Sequence, residues 1–245
     1  MPFHIIENAK PKLPRVNFEC DKVIDPKLEE IPAIKQCFSK SSTTLISGGC
    51  GSGKSTWFIQ MVKGPMKNCF EEIFFLLPEN SFDSLSEKDK TYFRKYLPEE
   101  NIIHELDTEV LNEVYGKLEE NSSNRNNTLL IIDDFADRLK DKQIEKILSK
   151  IFLKNRHLRT SVMILTQNYF MVPKKIREIS NNLVMFNTNK SQNEKMFEEQ
   201  FDLKHKQFNE IMELLPTTHD YLLLNLKYKK IYHNFNEIVF DKEST

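Results

Sequence analysis

Long apolar runs are missing from this chain. The most apolar stretches, Ile73–Leu77 and Leu129–Ile132, hold five and four residues, far short of the ~20 that cross a bilayer as a helix. The opening MPFHIIENAKPKLP also lacks the apolar centre of a secretory leader. A soluble protein without a membrane partner is therefore expected. Charge of one sign is missing too: 35 Lys and Arg stand against 36 Asp and Glu, for a net charge of −1. No global basic field advertises nucleic acid, so any such contact must come from local patches. Cys20, Cys37, Cys50 and Cys69 form no CxxC pair and have no histidines at zinc spacing. Reduced, buried thiols in a cytosolic setting are expected. Arginine is rare, 7 against 28 lysines, so its use at a given position carries some chemical meaning. Glycine is rarer still at six, yet Gly48, Gly49, Gly51 and Gly53 crowd into one stretch.

What is present fits an α/β protein. The length of 245 residues with 39% hydrophobic content suits one domain of about 250 residues. Pro2, Pro11, Pro14, Pro26 and Pro32 fall in the first 32 residues, a density that rules out continuous helix. Residues 1–40 read as an extended arm with short strand or helix pieces, packed on its own core or on a neighbouring subunit. From Thr43 strand and helix signals alternate. Strands are expected at Thr43–Ser47, Glu71–Leu77, Ile102–Leu106, Thr128–Ile132, Ser161–Thr166 and Leu183–Asn187. Helices are expected from Gly53 to about Lys63, over Ser86–Tyr96, and over 108–120, 141–155, 173–179, 191–200 and 204–215. The tract NSSNRNN at 121–127 reads as a surface loop, and a hairpin is expected around 220–236. Alternating elements with strands apolar on both faces predict a mostly parallel sheet flanked by helices, within one domain over 41–245.

Residues Gly48-Gly49-Cys50-Gly51-Ser52-Gly53-Lys54-Ser55 match G-x-x-x-x-G-K-[ST], and Thr56 follows. Glycines let backbone N–H groups turn inward around phosphates, and the helix start beyond them adds its positive dipole end. Lys54 is expected to reach the β- and γ-phosphates, and Ser55 to place its hydroxyl on Mg²⁺. The match lies between an apolar strand and a helical pattern, the context it requires, and a chance occurrence is far rarer than one per chain of this composition. ATP with Mg²⁺ is the expected cofactor pair.

Downstream, Leu129-Leu130-Ile131-Ile132 runs into Asp133-Asp134. Elsewhere such a pair is usually a solvated turn; after a P-loop it reads as Asp133 holding the Mg²⁺ hydration shell and Asp134 polarising the attacking water. The next strand ends Thr166-Gln167, where ligands of open α/β sheets bind. Gln167 is a candidate for sensing the γ-phosphate or positioning water.

Together GGCGSGKST, LLIIDDF and NRHLRTSVMILTQ resemble the FtsK–HerA superfamily of P-loop ATPases, and most closely the genome-packaging ATPases of large DNA viruses and their virophages. The resemblance covers roughly residues 43–188. It implies a RecA-like core in which the Thr-Gln strand lies between the P-loop strand and the acidic strand. It implies a ring, usually hexameric, that moves double-stranded DNA, with capsid proteins as further partners. The host cytoplasm or a viral factory would be its setting, with possible association with the virion. It also implies a trans-acting arginine before the Thr-Gln strand, where Arg156 stands; Arg159 and Arg138 compete for that role. Many relatives carry Glu where this chain has Asp134. Candidate DNA patches are Lys174, Lys175 and Arg177 beside Tyr169 and Phe170; Lys88, Lys90, Arg94 and Lys95; and Lys227, Lys229 and Lys230. Two other readings remain open, a small-molecule kinase and an ATP-gated assembly factor. A GTPase is disfavoured, because Asn189-Lys190-Ser191-Gln192 lacks the aspartate of a guanine-reading motif.

Overall fold

The aliphatic runs of the sequence all become strands of one sheet. The structure is a computed structural model and describes residues 3–6, 31–201, 205–215 and 219–240. Its strands are β1 (Phe3–Ile6), β2 (Thr43–Ser47), β3 (Glu72–Leu76), β4 (Ile102–Ile103), β5 (Thr128–Asp133), β6 (Thr160–Thr166), β7 (Asn182–Phe186), β8 (Tyr221–Asn225), β9 (Lys230–His233) and β10 (Asn236–Phe240). The helices are α1 (Pro32–Cys37), α2 (Lys54–Lys63), α3 (Glu79–Asp83), α4 (Glu87–Tyr96), α5 (Thr108–Ser123), α6 (Lys142–Lys154), α7 (Lys174–Ile179), α8 (Lys190–Gln200) and α9 (His205–Met212).

Across the sheet the order is β1-β10-β9-β8-β7-β2-β6-β5-β3-β4. From β7 to β4 the neighbours are parallel, and from β7 to β1 they are antiparallel. The Thr-Gln strand β6 does lie between the P-loop strand β2 and the acidic strand β5. Side chains along β5 alternate between two cores. Leu130 and Ile132 pack with Leu111 of α5 and Leu148 of α6, whereas Leu129 and Ile131 pack with Phe58 of α2 and Phe93 of α4. Burial on both faces is why the strands read as unbroken apolar runs. Phe58, Phe75 and Phe93 are fully buried, with ring centroids 5.0–6.0 Å apart; each such side chain contributes about 1.5–3 kcal/mol.

Caps set the helix starts. Asp107 accepts from the backbone of Val110 at 2.9 Å and Asp141 from that of Gln143 at 2.8 Å. Three sequence expectations need correction. Helix α5 runs on to Ser123 instead of yielding to a loop at 121, because Asn121 turns inward and its side-chain amide reaches Glu72 and, at 3.1 Å, Thr128 Oγ1. Strand β4 covers only Ile102 and Ile103, since it pairs with β3 alone and the chain then turns where His104 Nδ1 meets Leu77 O at 3.0 Å. The expected closing hairpin is a three-strand meander, β8-β9-β10, continued by β1. Of residues 1–40, the described pieces lie on this chain's own fold. Phe3–Ile6 pairs antiparallel with β10, and α1 buries Ala33, Ile34 and Cys37; the remainder, Cys20 included, is outside the described residues. Among the described residues no helix is long and apolar enough to cross a membrane.

Candidate nucleotide site

Parallel strands bring their C-terminal ends to one edge of a sheet, and here that edge gathers the P-loop after β2, Asp133 and Asp134 at the end of β5, and Gln167 after β6. Register ties them closely: Ser47 pairs with Thr166 and Asp133 with Leu165, and the N–H of Gly48 donates to Thr166 O at 3.2 Å.

The loop itself is built around its glycines. Gly51 and Gly53 have φ of 71° and 100°, the left-handed region that costs glycine little, and Gly53 caps α2. Gly48 is required for a different reason. A Cβ there would sit 2.5 Å from Ser52 Oγ and 2.6 Å from Phe186 Cβ. Gly49 and Gly51 instead face open space. Lys54 is 8% exposed and its Nζ donates to Gly48 O at 2.7 Å and Gly49 O at 2.8 Å. Burial pulls its pKa below the ordinary lysine value, against the opposing pull of Asp133.

The acids divide into two environments. Asp133, partly buried at the end of β5, is pushed up to about 7 by burial and by the neighbouring Asp134 charge, with Lys54 acting the other way. Asp134 is exposed, takes φ of 60°, and accepts from Ser81 Oγ at 2.9 Å and from Gln167 Nε2 at 3.3 Å. The structure thus joins Asp134 to Gln167 directly. It also adds Ser81 of α3, which sequence reading missed. Its signal was faint: Pro78 closes β3, but only the sheet order shows β3 beside β5. Ser55 is half-buried, Thr56 exposed. Cys50 is exposed at the loop tip and Cys69 is half-buried, so of the cysteines described only Cys37 meets the expectation of burial.

These features suit a polyanion with a divalent cation. The Ser47 and Ser52 hydroxyls are buried and unpartnered among the described residues. The Lys54 ammonium is held on the loop carbonyls of Gly48 and Gly49, and burial together with the Asp134 charge raises the Asp133 carboxyl, an effect that a bound cation would offset. Among the described residues no group of three or more His, Cys, Asp or Glu could hold a metal, so a cation here would draw most of its ligands from phosphate oxygens and water.

Arg156 is elsewhere. It is exposed just past α6, before β6, at the opposite end of the parallel strands, a separation of about 20 Å over a strand of this length. Its backbone N–H is held by Asn155 Oδ1 at 2.9 Å, and it lines a groove with Lys40, Lys227 and Tyr228. Arg138 is on the nucleotide edge after β5, with Nε donating to Leu106 O at 3.1 Å. Arg159 is half-buried with φ of 50°. One of the candidate DNA patches loses members: Arg177 is 7% exposed and Tyr169 fully buried. Lys229 stays exposed, with Nζ donating to Gln200 O at 2.7 Å. Asn189 caps α8 through a 2.8 Å bond from the backbone of Gln192, a structural use of the residue that began the failed guanine motif.

A family model described as poxvirus A32 protein matches residues 35–225. The chain belongs to that family. The viral FtsK–HerA-type P-loop ATPase read from the motifs is thereby the right grouping. Among solved structures, the genome packaging NTPase B204 from Sulfolobus turreted icosahedral virus 2, in complex with ATP-gammaS, superimposes with a TM-score of 0.58. The identity is 16% over 80% of this chain and 98% of that one. The DNA-packaging ATPase B204 from Sulfolobus turreted icosahedral virus gives 0.59 at 14% identity, covering 79% of this chain and 96% of that one. EssC ATPase domains 2 and 3 from Geobacillus thermodenitrificans give 0.55 at 11%, covering 84% of this chain and 41% of theirs. At these identities the likeness is one of fold. No curated protein matches this chain.

Proposed function

We propose that this protein is an ATP-hydrolysing motor that moves double-stranded DNA into a viral capsid. Membership of the poxvirus A32 family supports a packaging role, as does likeness in fold to two packaging NTPases. The observation that carries the hydrolytic reading is the meeting of the P-loop, the Asp133-Asp134 pair and Gln167 at one sheet edge, with Gln167 bonded to Asp134.

In this reading the backbone of Gly48 to Gly53 and the start of α2, including Ser55 and Thr56, cradle the phosphates. Lys54 exchanges its loop carbonyls for β- and γ-phosphate oxygens. Ser55 and Asp133 hold Mg²⁺, which when bound neutralises charge on the β- and γ-phosphates. Asp134 orients and polarises the attacking water, itself steadied by Ser81 and Gln167. Gln167 senses whether the γ-phosphate is in place. Arg156, remote from its own P-loop, serves a neighbour's. Residues on opposite edges fit head-to-tail contacts, which close into a ring when the rotation permits; a hexamer is the assembly proposed. The working unit is residues 41–245 with the arm 1–40, acting as a soluble protein in the host cytoplasm or viral factory.

The test is phosphate release by the full chain with Mg²⁺ and ATP, with and without linear duplex DNA. The proposal expects turnover that duplex DNA raises and Lys54→Ala abolishes. Hydrolysis indifferent to DNA under assembling conditions would favour an ATP-gated assembly factor instead.

A further inference from the structure

The segment that carries Gln167 is fastened from behind by a largely buried charged cluster, whose Arg177 and Glu199 side chains are 9% and 20% exposed. Arg177 of α7 spans three attachments. Its Nε and Nη2 donate to the two carboxylate oxygens of Glu199 on α8 at 2.8 and 2.9 Å. Its Nη1 donates to Val172 O at 2.6 Å. The guanidinium carbon also lies 5.0 Å from the ring centroid of Tyr169 and 5.2 Å from that of Phe170. Tyr169, two residues beyond Gln167, donates from its hydroxyl to Glu199 Oε1 at 3.1 Å and accepts from Gln200 Nε2 at 2.6 Å. Between them, Thr166 Oγ1 donates to Asn168 O at 2.9 Å and accepts its N–H at 3.1 Å, and Asn168 Oδ1 takes the N–H of Phe170 at 3.0 Å.

Every residue from Thr166 to Val172 except Gln167 and Met171 is thus held by one of these side-chain bonds or ring contacts. Gln167 is exposed and projects from a fixed backbone toward Asp134. An ion pair largely withdrawn from water is a costly way to stabilise a fold, since apolar residues of like volume often do as well. What a bidentate arginine–carboxylate pair adds is fixed geometry. Burial alone would push Glu199 up, but the Arg177 hydrogen bonds and charge outweigh it and hold its carboxyl below the ordinary range. The pair therefore stays charged and locked at neutral pH.

We propose that the Arg177–Glu199–Tyr169 cluster is a positioning device for Gln167, setting its reach to Asp134 and to the water or γ-phosphate beyond. The inference rests on the role assigned above to Gln167. It predicts that loosening the clamp lowers kcat with little change in KM, because the P-loop that holds the nucleotide belongs to β2 and α2.

The experiment is a double-mutant cycle on ATP turnover by the full chain, pairing Arg177→Lys with Gln167→Ala. Lysine keeps the charge but cannot make the two-oxygen fork. Arg177→Lys is expected to lower kcat about tenfold with KM within about twofold, and to cause no further loss in the Gln167→Ala background. Should Arg177→Lys fail to fold, Tyr169→Phe keeps the ring and removes both hydroxyl bonds. It is expected to show the same dependence on Gln167 with a smaller drop, about threefold. Equal fold-losses in both backgrounds would overturn the inference while leaving the proposed function standing. Unchanged turnover in Gln167→Ala would overturn both the role of Gln167 and the clamp built upon it.

Discussion

Replacing Gly48 by alanine tests whether the P-loop is pressed against the sheet as described. The added methyl carbon would lie 2.5 Å from Ser52 Oγ and 2.6 Å from Phe186 Cβ. Ser52 can rotate its hydroxyl away. Phe186 cannot yield so easily, since it is 1% exposed and its backbone pairs with Tyr221 in β8. The loop must therefore lift, or β7 must shift. Overpacking of this kind costs about 1–3 kcal/mol, and a chain of this size loses roughly 2–4 °C in Tm per kcal/mol. A fall of about 2–12 °C is expected in thermal unfolding without nucleotide. Lifting the loop also misdirects its N–H groups, and tenfold weaker binding needs only 1.4 kcal/mol. Calorimetric titration with a non-hydrolysable ATP analogue should show about that loss or more. Gly49→Ala is the control, because nothing lies within 4 Å of its Cβ; it should stay within about 0.5 kcal/mol of the parent in stability. Equal stability of the two variants would refute the packing argument.

Other expectations follow from the same geometry. Asp134→Asn removes the charge proposed to polarise water, while its one remaining oxygen can still accept from Gln167 and its new amide can donate to Ser81 Oγ, so kcat should fall about 10²–10⁴-fold while analogue binding survives; steady-state turnover and titration check the two halves. Arg156→Ala should lower turnover about 10³–10⁵-fold. Mixing it with Lys54→Ala subunits should restore activity, because some interfaces then join an intact arginine to an intact P-loop, and no recovery would speak against a trans role. Arg177→Met leaves the partly buried Glu199 without its cation, with only the Tyr169 and Gln200 side chains still donating to it, at a cost of about 1–3 kcal/mol that urea denaturation would read. That cost depends on pH with a definite sign. Folding lowers the Glu199 pKa, so the pair's contribution is full above the unfolded carboxyl value of about 4.3 and disappears as pH falls through the depressed folded value.

The parallel half of the sheet and its nucleotide edge were legible in the sequence because local chemistry and global role agree there. Gly48 to Lys54 need their glycines, and Leu129–Asp133 runs apolar until it reaches the phosphate side. The order β2-β6-β5 came from resemblance, since strand order leaves no local mark. Ser81 was invisible for the same reason: its partner Asp134 is 53 residues away and meets it only through the neighbouring of β3 and β5. Arg177 was misread as a surface cation because a charge run looks alike whether solvated or paired, and Glu199, 22 residues on, gives no hint of the fork it makes. The Asn121 error has a similar cause. An Asn/Ser tract signals a loop unless a buried acceptor such as Glu72 draws one amide inward and extends the helix.

The claim that hydrolysis at this edge drives DNA movement is tested most directly by triplex displacement. A labelled third strand is bound to a long duplex, and its release by the full chain is followed with ATP and Mg²⁺. The account predicts ATP-dependent displacement that stops in Lys54→Ala and Asp134→Asn. Vigorous DNA-stimulated hydrolysis with the third strand left in place would contradict it.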